Sequence, residues 1–132
     1  MDRLHPQLRP LDFLVAGYHA IGEDAAADTA LGEGIVRDCE PIPEGPENDN
    51  CYAWYWALRG THLDESRDRI ESALAASGER SDFLDTRAMV YLARGDLASA
   101  ADSARRAARL NPDDAYMLWQ AERLSEMSAR PR

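Results

Sequence analysis

The sequence predicts an all-α protein made of paired helices, and two observations about residue spacing support this expectation. First, residues 82–94 and 97–110 carry apolar side chains at helical intervals, separated by Gly95-Asp96 and ended by Asn111-Pro112. Glycine and proline at those places interrupt and stop helices, so the segment is typical of a helical hairpin. Second, similar apolar stretches recur upstream and downstream at intervals of about 34 residues, which predicts a stack of hairpins.

The hairpin at residues 81–114 combines a short turn with small packing residues. The residues that define its pattern are Tyr91, Gly95, Asp96, Ala100, Ala107 and Pro112. In this spacing the segment resembles the tetratricopeptide repeat, a helix–turn–helix unit of about 34 residues. It departs from the family pattern at Leu84 in place of tryptophan, at Arg87-Ala88 in place of Leu-Gly, and at Ala104 in place of a large aromatic.

The resemblance extends in both directions when the same interval is counted along the chain. It implies a single domain over residues 1–132, folded as a right-handed α–α superhelix of about seven helices. Within the second repeat, Gly60 falls one position earlier than Gly95 does in the third. The predicted units are repeats over 8–41, 47–80 and 81–114, a capping helix over 115–129, and an acidic, proline-rich loop over 40–49.

Length and composition set limits on the kind of protein this is. At 132 residues with 45% hydrophobic side chains, the chain is long enough to bury a core as one domain. No run reaches the roughly 18 apolar residues that a membrane span needs, so we expect no membrane insertion. The start of the chain lacks the pattern of a secretory signal, which predicts a cytoplasmic location. A net charge of −9 without a basic stripe argues against a nucleic-acid partner.

The segment Cys51–Gly60, CYAWYWALRG, is the most aromatic part of the chain, and its aromatic side chains cannot all lie on one face of a helix. We expect Trp54 and Trp56 in the core. The family resemblance implies that the first helix of each repeat also lines a concave groove. The residues at groove positions are His19, Tyr55, Leu58, Arg59, Met89, Leu92, Tyr116, Trp119 and Arg123.

The chemistry of these groove positions indicates a protein or peptide partner. Aromatic, methionine, leucine and arginine side chains offer large contact areas and often dominate binding energy. The chain has no lysine, and groove positions also hold Asp12 and Asp85, unlike the family members that grip acidic C-terminal tails. We therefore expect a partner that is neutral or basic and partly apolar. In the last helix, Leu118, Ala121 and Leu124 are expected to face inward.

Most of the excess negative charge lies between residues 23 and 49, a block with a single basic residue, Arg37. One interpretation is a solvated outer helix and loop that keep the protein in solution. The other is an electrostatic docking site for a basic segment of a partner. The acidic residues of this block are Glu23, Asp24, Asp28, Glu33, Asp38, Glu40, Glu44, Glu47 and Asp49.

Little in the sequence indicates catalysis or a cofactor. The three histidines have no convergent spacing, and no phosphate-binding loop or hydrolase motif occurs, so we expect neither an enzyme nor a bound cofactor or metal. Two cysteines make no disulfide framework and no zinc-ligand set. We expect Cys39 and Cys51 to be ordinary thiols; the alternative is a redox-sensitive clip, or part of a metal site with His62.

These observations predict a protein–protein interaction module, an adaptor, co-chaperone or assembly factor that holds a peptide or helix in its groove. Three alternatives stay open. The first is a dedicated bacterial chaperone for a secretion or pilus subunit, since proteins of that kind resemble this chain in size and architecture. The second is self-association through the groove or the last helix. The third is a small redox or metal-binding helical domain that uses Cys39 and Cys51.

Overall fold

The computed structural model describes residues 24–130, and within that range the protein is helical with no β-strand. The predicted first helix of the 8–41 repeat lies outside the described residues. The all-α fold class is therefore confirmed for residues 24–130. The elements are α1 (Asp24–Gly34), a π-helical turn (Ile35–Cys39), α2 (Pro46–Arg59), α3 (Leu63–Ser77), α4 (Ser81–Ala93), α5 (Leu97–Leu110) and α6 (Ala115–Ala129).

The hairpin of α4 and α5 forms where the sequence predicts it. Gly95 has a φ of 84°, a left-handed conformation that glycine adopts without a steric penalty. Asp96 then caps α5 by accepting a hydrogen bond from the Ser99 backbone N–H at 3.1 Å. Asp114 caps α6 in the same way, accepting from the Met117 N–H at 3.1 Å. Short polar side chains at these turns thus decide where each helix begins.

The connection before α2 is shorter than predicted. The sequence suggested a loop over residues 40–49, but α2 begins at Pro46, so the loop is confined to residues 40–45. Proline is favoured in the first turn of a helix because the N–H that it lacks has no partner there. Glu47 and Asp49 lie in that turn, where carboxylates interact well with the positive end of the helix dipole.

Within residues 24–130, the core is a series of buried clusters that extends from α1 to α6. Each helix packs against its neighbours in sequence, and α2 also packs against α4. Phe83 of α4 is fully buried between α2 and α3, in a cluster with Ile70. The face of α5 toward α4 and α6 is lined by alanines, which lets these helices approach closely. The buried alanines of α5 are Ala100, Ala101, Ala104, Ala107 and Ala108.

The buried side of α6 differs by one residue from the prediction. We expected Leu118 to face inward, but it is 49% exposed. Met117, Gln120 and Leu124 occupy the buried face instead. The Asp114 cap sets the start of the helix, and these three residues at i, i+3 and i+7 then share one side. Among residues 24–130, no helix is long and apolar enough to cross a bilayer.

Candidate functional site

The most distinctive exposed feature of the described structure is an aromatic side chain on α6 that contacts an arginine. Trp119 is 56% exposed, and the guanidinium of Arg123 lies 4.9 Å from its ring centroid. Arg123 also donates two hydrogen bonds to Gln120 Oε1, at 3.0 and 2.7 Å. Gln120 is buried, and its amide contacts the Met89 sulfur of α4 at 3.0 Å. The exposed tryptophan is thereby connected to the core through successive contacts.

Trp119 belongs to a continuous stripe on α6, which we call the α6 surface. Its ring centroid lies 6.1 Å from that of Tyr116, one turn earlier. A cleft of about 190 Å³ runs along the following turns and is lined in part by Glu122 and Glu126. Arg123 and Arg130 line the same cleft, so the stripe presents an aromatic centre with charges of both signs beside it. The α6 surface consists of Tyr116, Trp119, Glu122, Arg123 and Glu126.

The prediction that Tyr55 faces a groove is wrong. Its side chain is fully buried between α2 and the helix before it, and its hydroxyl donates a hydrogen bond to Asp38. Trp54 is buried as expected, whereas Trp56 is only partly buried. The sequence offsets placed Tyr55 correctly on the helix but could not reveal that α1 and the π-helical turn cover that side.

The other predicted groove residues separate into two groups. Met89, Tyr116, Trp119 and Arg123 lie on or directly beneath the α6 surface. Leu58 and Leu92 are partly buried and pack against core clusters. Arg59 forms an ion pair with Asp28, to which it donates two hydrogen bonds. His19 lies outside the described residues.

The partly exposed aromatic side chains of α2 form a second packed group, facing α3. Arg69 of α3 lies 4.7 Å from the ring centroid of Tyr52 and 5.3 Å from that of Trp56. The imidazole of His62 stacks on Trp56 with 4.8 Å between centroids. His62 has a φ of 53°, in the left-handed region, and lies in the turn between α2 and α3. This group joins α2 to α3, so it has a structural role.

Four acidic residues of the block form ion pairs within the described part of the protein: Asp28, Asp38, Glu47 and Asp49. Arg59 holds the pKa of Asp28 below its usual value through their hydrogen bond. Arg80 pairs with Glu47 at 3.2 Å, and Arg69 with Asp49 at 3.2 Å. Glu23 lies outside the described residues, and Asp24 lines a cleft of about 430 Å³. Asp38 pairs with Arg37, while Glu33, Glu40 and Glu44 are exposed.

The two cysteines are joined rather than free, which corrects the expectation of ordinary thiols. Cys39 and Cys51 form a disulfide with their Cα atoms 5.5 Å apart, and both residues are buried. Asn48 holds the same region together by donating hydrogen bonds to the backbone oxygens of Cys39 at 3.2 Å and Ile42 at 2.9 Å. The pairing agrees with the alternative of a clip between these two cysteines, which sequence spacing alone could not establish because the π-helical turn positions Cys39 against α2.

A charged network connects α3, α4 and α5 and was not recognised in the sequence. Arg87 donates to both carboxylate oxygens of Glu71 at 3.1 Å and to Ser103 Oγ at 2.6 Å. Tyr91 donates to Glu71 at 2.6 Å. Burial acts to raise the pKa of Glu71, but the hydrogen bonds from Arg87 and Tyr91 outweigh it and hold that pKa below its usual value. Burial and the Glu71 carboxylate raise the pKa of Tyr91.

Within residues 24–130, no group of three or more histidine, cysteine or acidic side chains has an arrangement that could hold a metal ion. With both cysteines oxidised, neither supplies a thiolate ligand. The features that the described part of the protein does present are an aromatic surface with neighbouring charges and a covalent link near one end. The exposed aromatic and arginine side chains are of the kind that dominates binding energy at interfaces.

No protein-family model matches the sequence, and neither the curated proteins nor the solved structures contain a match to the chain.

Proposed function

We propose that this protein is a protein–protein interaction module with tetratricopeptide-like helical hairpins, and that it binds a partner through the α6 surface. The observation that carries the proposal is the exposed side chain of Trp119 in contact with Arg123. Tryptophan and arginine are enriched among the residues that dominate binding energy. Here they contact each other, so part of the entropy cost of ordering them is met before a partner arrives.

The aromatic centre of the α6 surface and the net charge of the chain favour a partner segment that is apolar at its centre and basic or neutral at its edges. Glu122 and Glu126 share their cleft with Arg123 and Arg130, so the charges nearest Trp119 are balanced, whereas the whole chain has a net charge of −9. That net charge would repel an acidic segment and attract a basic one. The proposed contact therefore lies on one helix, α6, and not across the broad concave groove expected from the sequence. Tyr55 is not part of it.

The experiment compares partner capture by four proteins: the wild type, Trp119→Ala, Arg123→Ala and Val36→Ala. Val36 is the matched control because it is 58% exposed and lies in the π-helical turn, away from α6. Each protein is used to capture partners from a lysate of the native host, and the affinity of a captured partner is then measured by calorimetry. Circular dichroism and light scattering verify that fold and mass are unchanged.

We expect Trp119→Ala to weaken binding by at least about 30-fold, the usual loss at a residue that dominates an interface. Arg123→Ala should weaken it less, because its main contribution is to orient the tryptophan. Val36→Ala should bind like the wild type. Equal binding by all four proteins would place the contact elsewhere and contradict the proposal.

Self-association is a second candidate because α5 and α6 each expose a large apolar side chain. Leu110 is 52% and Leu118 is 49% exposed. A second copy could cover these side chains. A mass that increases with concentration in the wild type, and not in Leu118→Ser, would favour this alternative.

A further inference from the structure

The contact between α1 and α2 differs from the other helix contacts in how it is maintained. Both α1 and the π-helical turn pack against α2, whereas α2 also packs against α3 and α4. The apolar side chains that α1 buries are small, apart from Leu31. Gly32 and Gly34 lie within α1, and glycine inside a helix lowers its stability relative to alanine. Within residues 24–130, the noncovalent contacts that join α1 and the π-helical turn to α2 include the cluster around Leu31, the Asp28–Arg59 ion pair and the Tyr55–Asp38 hydrogen bond.

The disulfide is the covalent part of that contact. It joins the last residue of the π-helical turn to the first turns of α2 across a separation of 12 residues. The Glu40 N–H donates to the Ile35 oxygen five residues earlier, at 3.1 Å, which is the bond that defines the π-helical turn. Such turns are rare and depend on their surroundings. Here the disulfide and the Asn48 hydrogen bonds provide those surroundings.

We propose that Cys39–Cys51 is a redox-dependent latch that holds α1 and the π-helical turn against α2. When it is reduced, that end of the protein detaches while α3 to α6 stay folded. The inference does not depend on the function proposed for α6. It implies that the chain is fully assembled where disulfides persist, and that its first described helix is released where thiols are kept reduced.

The chemistry is ordinary exchange with a dithiol reductant. A thiolate of the reductant attacks one sulfur of the disulfide, and the other protein sulfur leaves as a thiolate and takes up a proton. The second thiol of the reductant then breaks the mixed disulfide. The products are two protein thiols and the oxidised reductant, a transfer of two electrons and two protons. Cys39 is fully buried and Cys51 is 9% exposed, so attack requires prior opening of the contact.

Hydrogen exchange with mass spectrometry tests the latch directly. The oxidised wild type, the wild type kept in a dithiol, and Cys39→Ser/Cys51→Ser are compared peptide by peptide. Removing a cross-link across a loop of this length should increase exchange by about a hundredfold in residues 24–39. Amides of α4, α5 and α6 should change by less than about threefold. Reoxidation of the reduced wild type should restore slow exchange.

Two results would overturn the proposal. Unchanged exchange in residues 24–39 after reduction would mean that the noncovalent contacts suffice to hold α1. Faster exchange in every helix, or loss of helical circular dichroism, would mean that the disulfide stabilises the whole fold and is not a local latch. The reduced wild type answers the question even if the double variant does not fold, because its thiols are native and its reoxidation is measured.

Discussion

The network of Glu71, Arg87 and Tyr91 leads to a sharp prediction for Glu71→Gln. In the folded protein Glu71 accepts hydrogen bonds from Arg87 at 3.1 Å and from Tyr91 at 2.6 Å. Replacing the carboxylate with an amide removes the charge from these bonds and turns an amide N–H toward one of the donors. Hydrogen bonds to charged groups contribute about 1.5–3 kcal/mol and neutral ones about half that. The difference between these two contributions is the stability that Glu71→Gln should remove if solvent does not screen the interaction.

The exposure of the two partners reduces this magnitude. The Arg87 side chain is 18% exposed but that of Glu71 is 41% exposed, so solvent screens part of the interaction. We therefore expect Glu71→Gln to lower the free energy of unfolding at pH 7 by about 1–2 kcal/mol. For a domain of this size that corresponds to a decrease in Tm of about 3–10 °C.

The pH dependence identifies the cause of this loss. Because the folded-state pKa of Glu71 is lowered, its contribution is complete above the unfolded-state pKa and disappears as the pH falls through the folded-state value. Urea unfolding of wild type and Glu71→Gln at several pH values should therefore give curves that differ at pH 7 and converge under strongly acidic conditions. Glu122→Gln, at an exposed position in the middle of α6, is the control and should match the wild type. A difference that is the same at all pH values would refute the reasoning.

Two further predictions concern helix packing and capping. Ala104→Leu should destabilise the protein by about 1–3 kcal/mol, because Ala104 is buried where α5 meets α4 and α6. Ala75→Leu, at an exposed position of α3, is the control. Equal thermal stability of the two variants would contradict close packing at α5. Asp96→Ala should lower the free energy of unfolding by about 1 kcal/mol, because it removes the cap of α5. Urea unfolding compares it with Asp113→Ala, a change at an exposed loop position. No difference between those two variants would mean that the cap contributes nothing.

The sequence was most informative where the chain must turn. Gly95 and Asp96 have a specific conformational and capping role, so they located the α4–α5 hairpin closely. At the α2–α3 turn, Gly60 comes one position earlier, and His62 supplies a second left-handed residue. The turn keeps its length although its residues differ. Turn chemistry is local, and for that reason it could be inferred from a single sequence.

Features that depend on contacts between distant residues could not be inferred in this way. Tyr55 was assigned to a groove because its helical position matches the family offset, but burial depends on α1 and on Asp38, 17 residues away. The disulfide depends on the π-helical turn, which no periodic pattern predicts. Leu118 was assigned to the core because it is apolar, whereas the buried position belongs to Gln120, a polar side chain satisfied by Arg123 and Met89.

The central claim is that a partner is bound at the α6 surface, and photo-crosslinking from inside that surface tests it most directly. A photoreactive aromatic residue is placed at position 119 and, separately, at position 36, whose native side chains are 56% and 58% exposed. Both proteins are expressed in the native host and irradiated. We predict a discrete crosslinked partner from position 119 and none from position 36. The same products from both positions, or a product from position 36 alone, would contradict it.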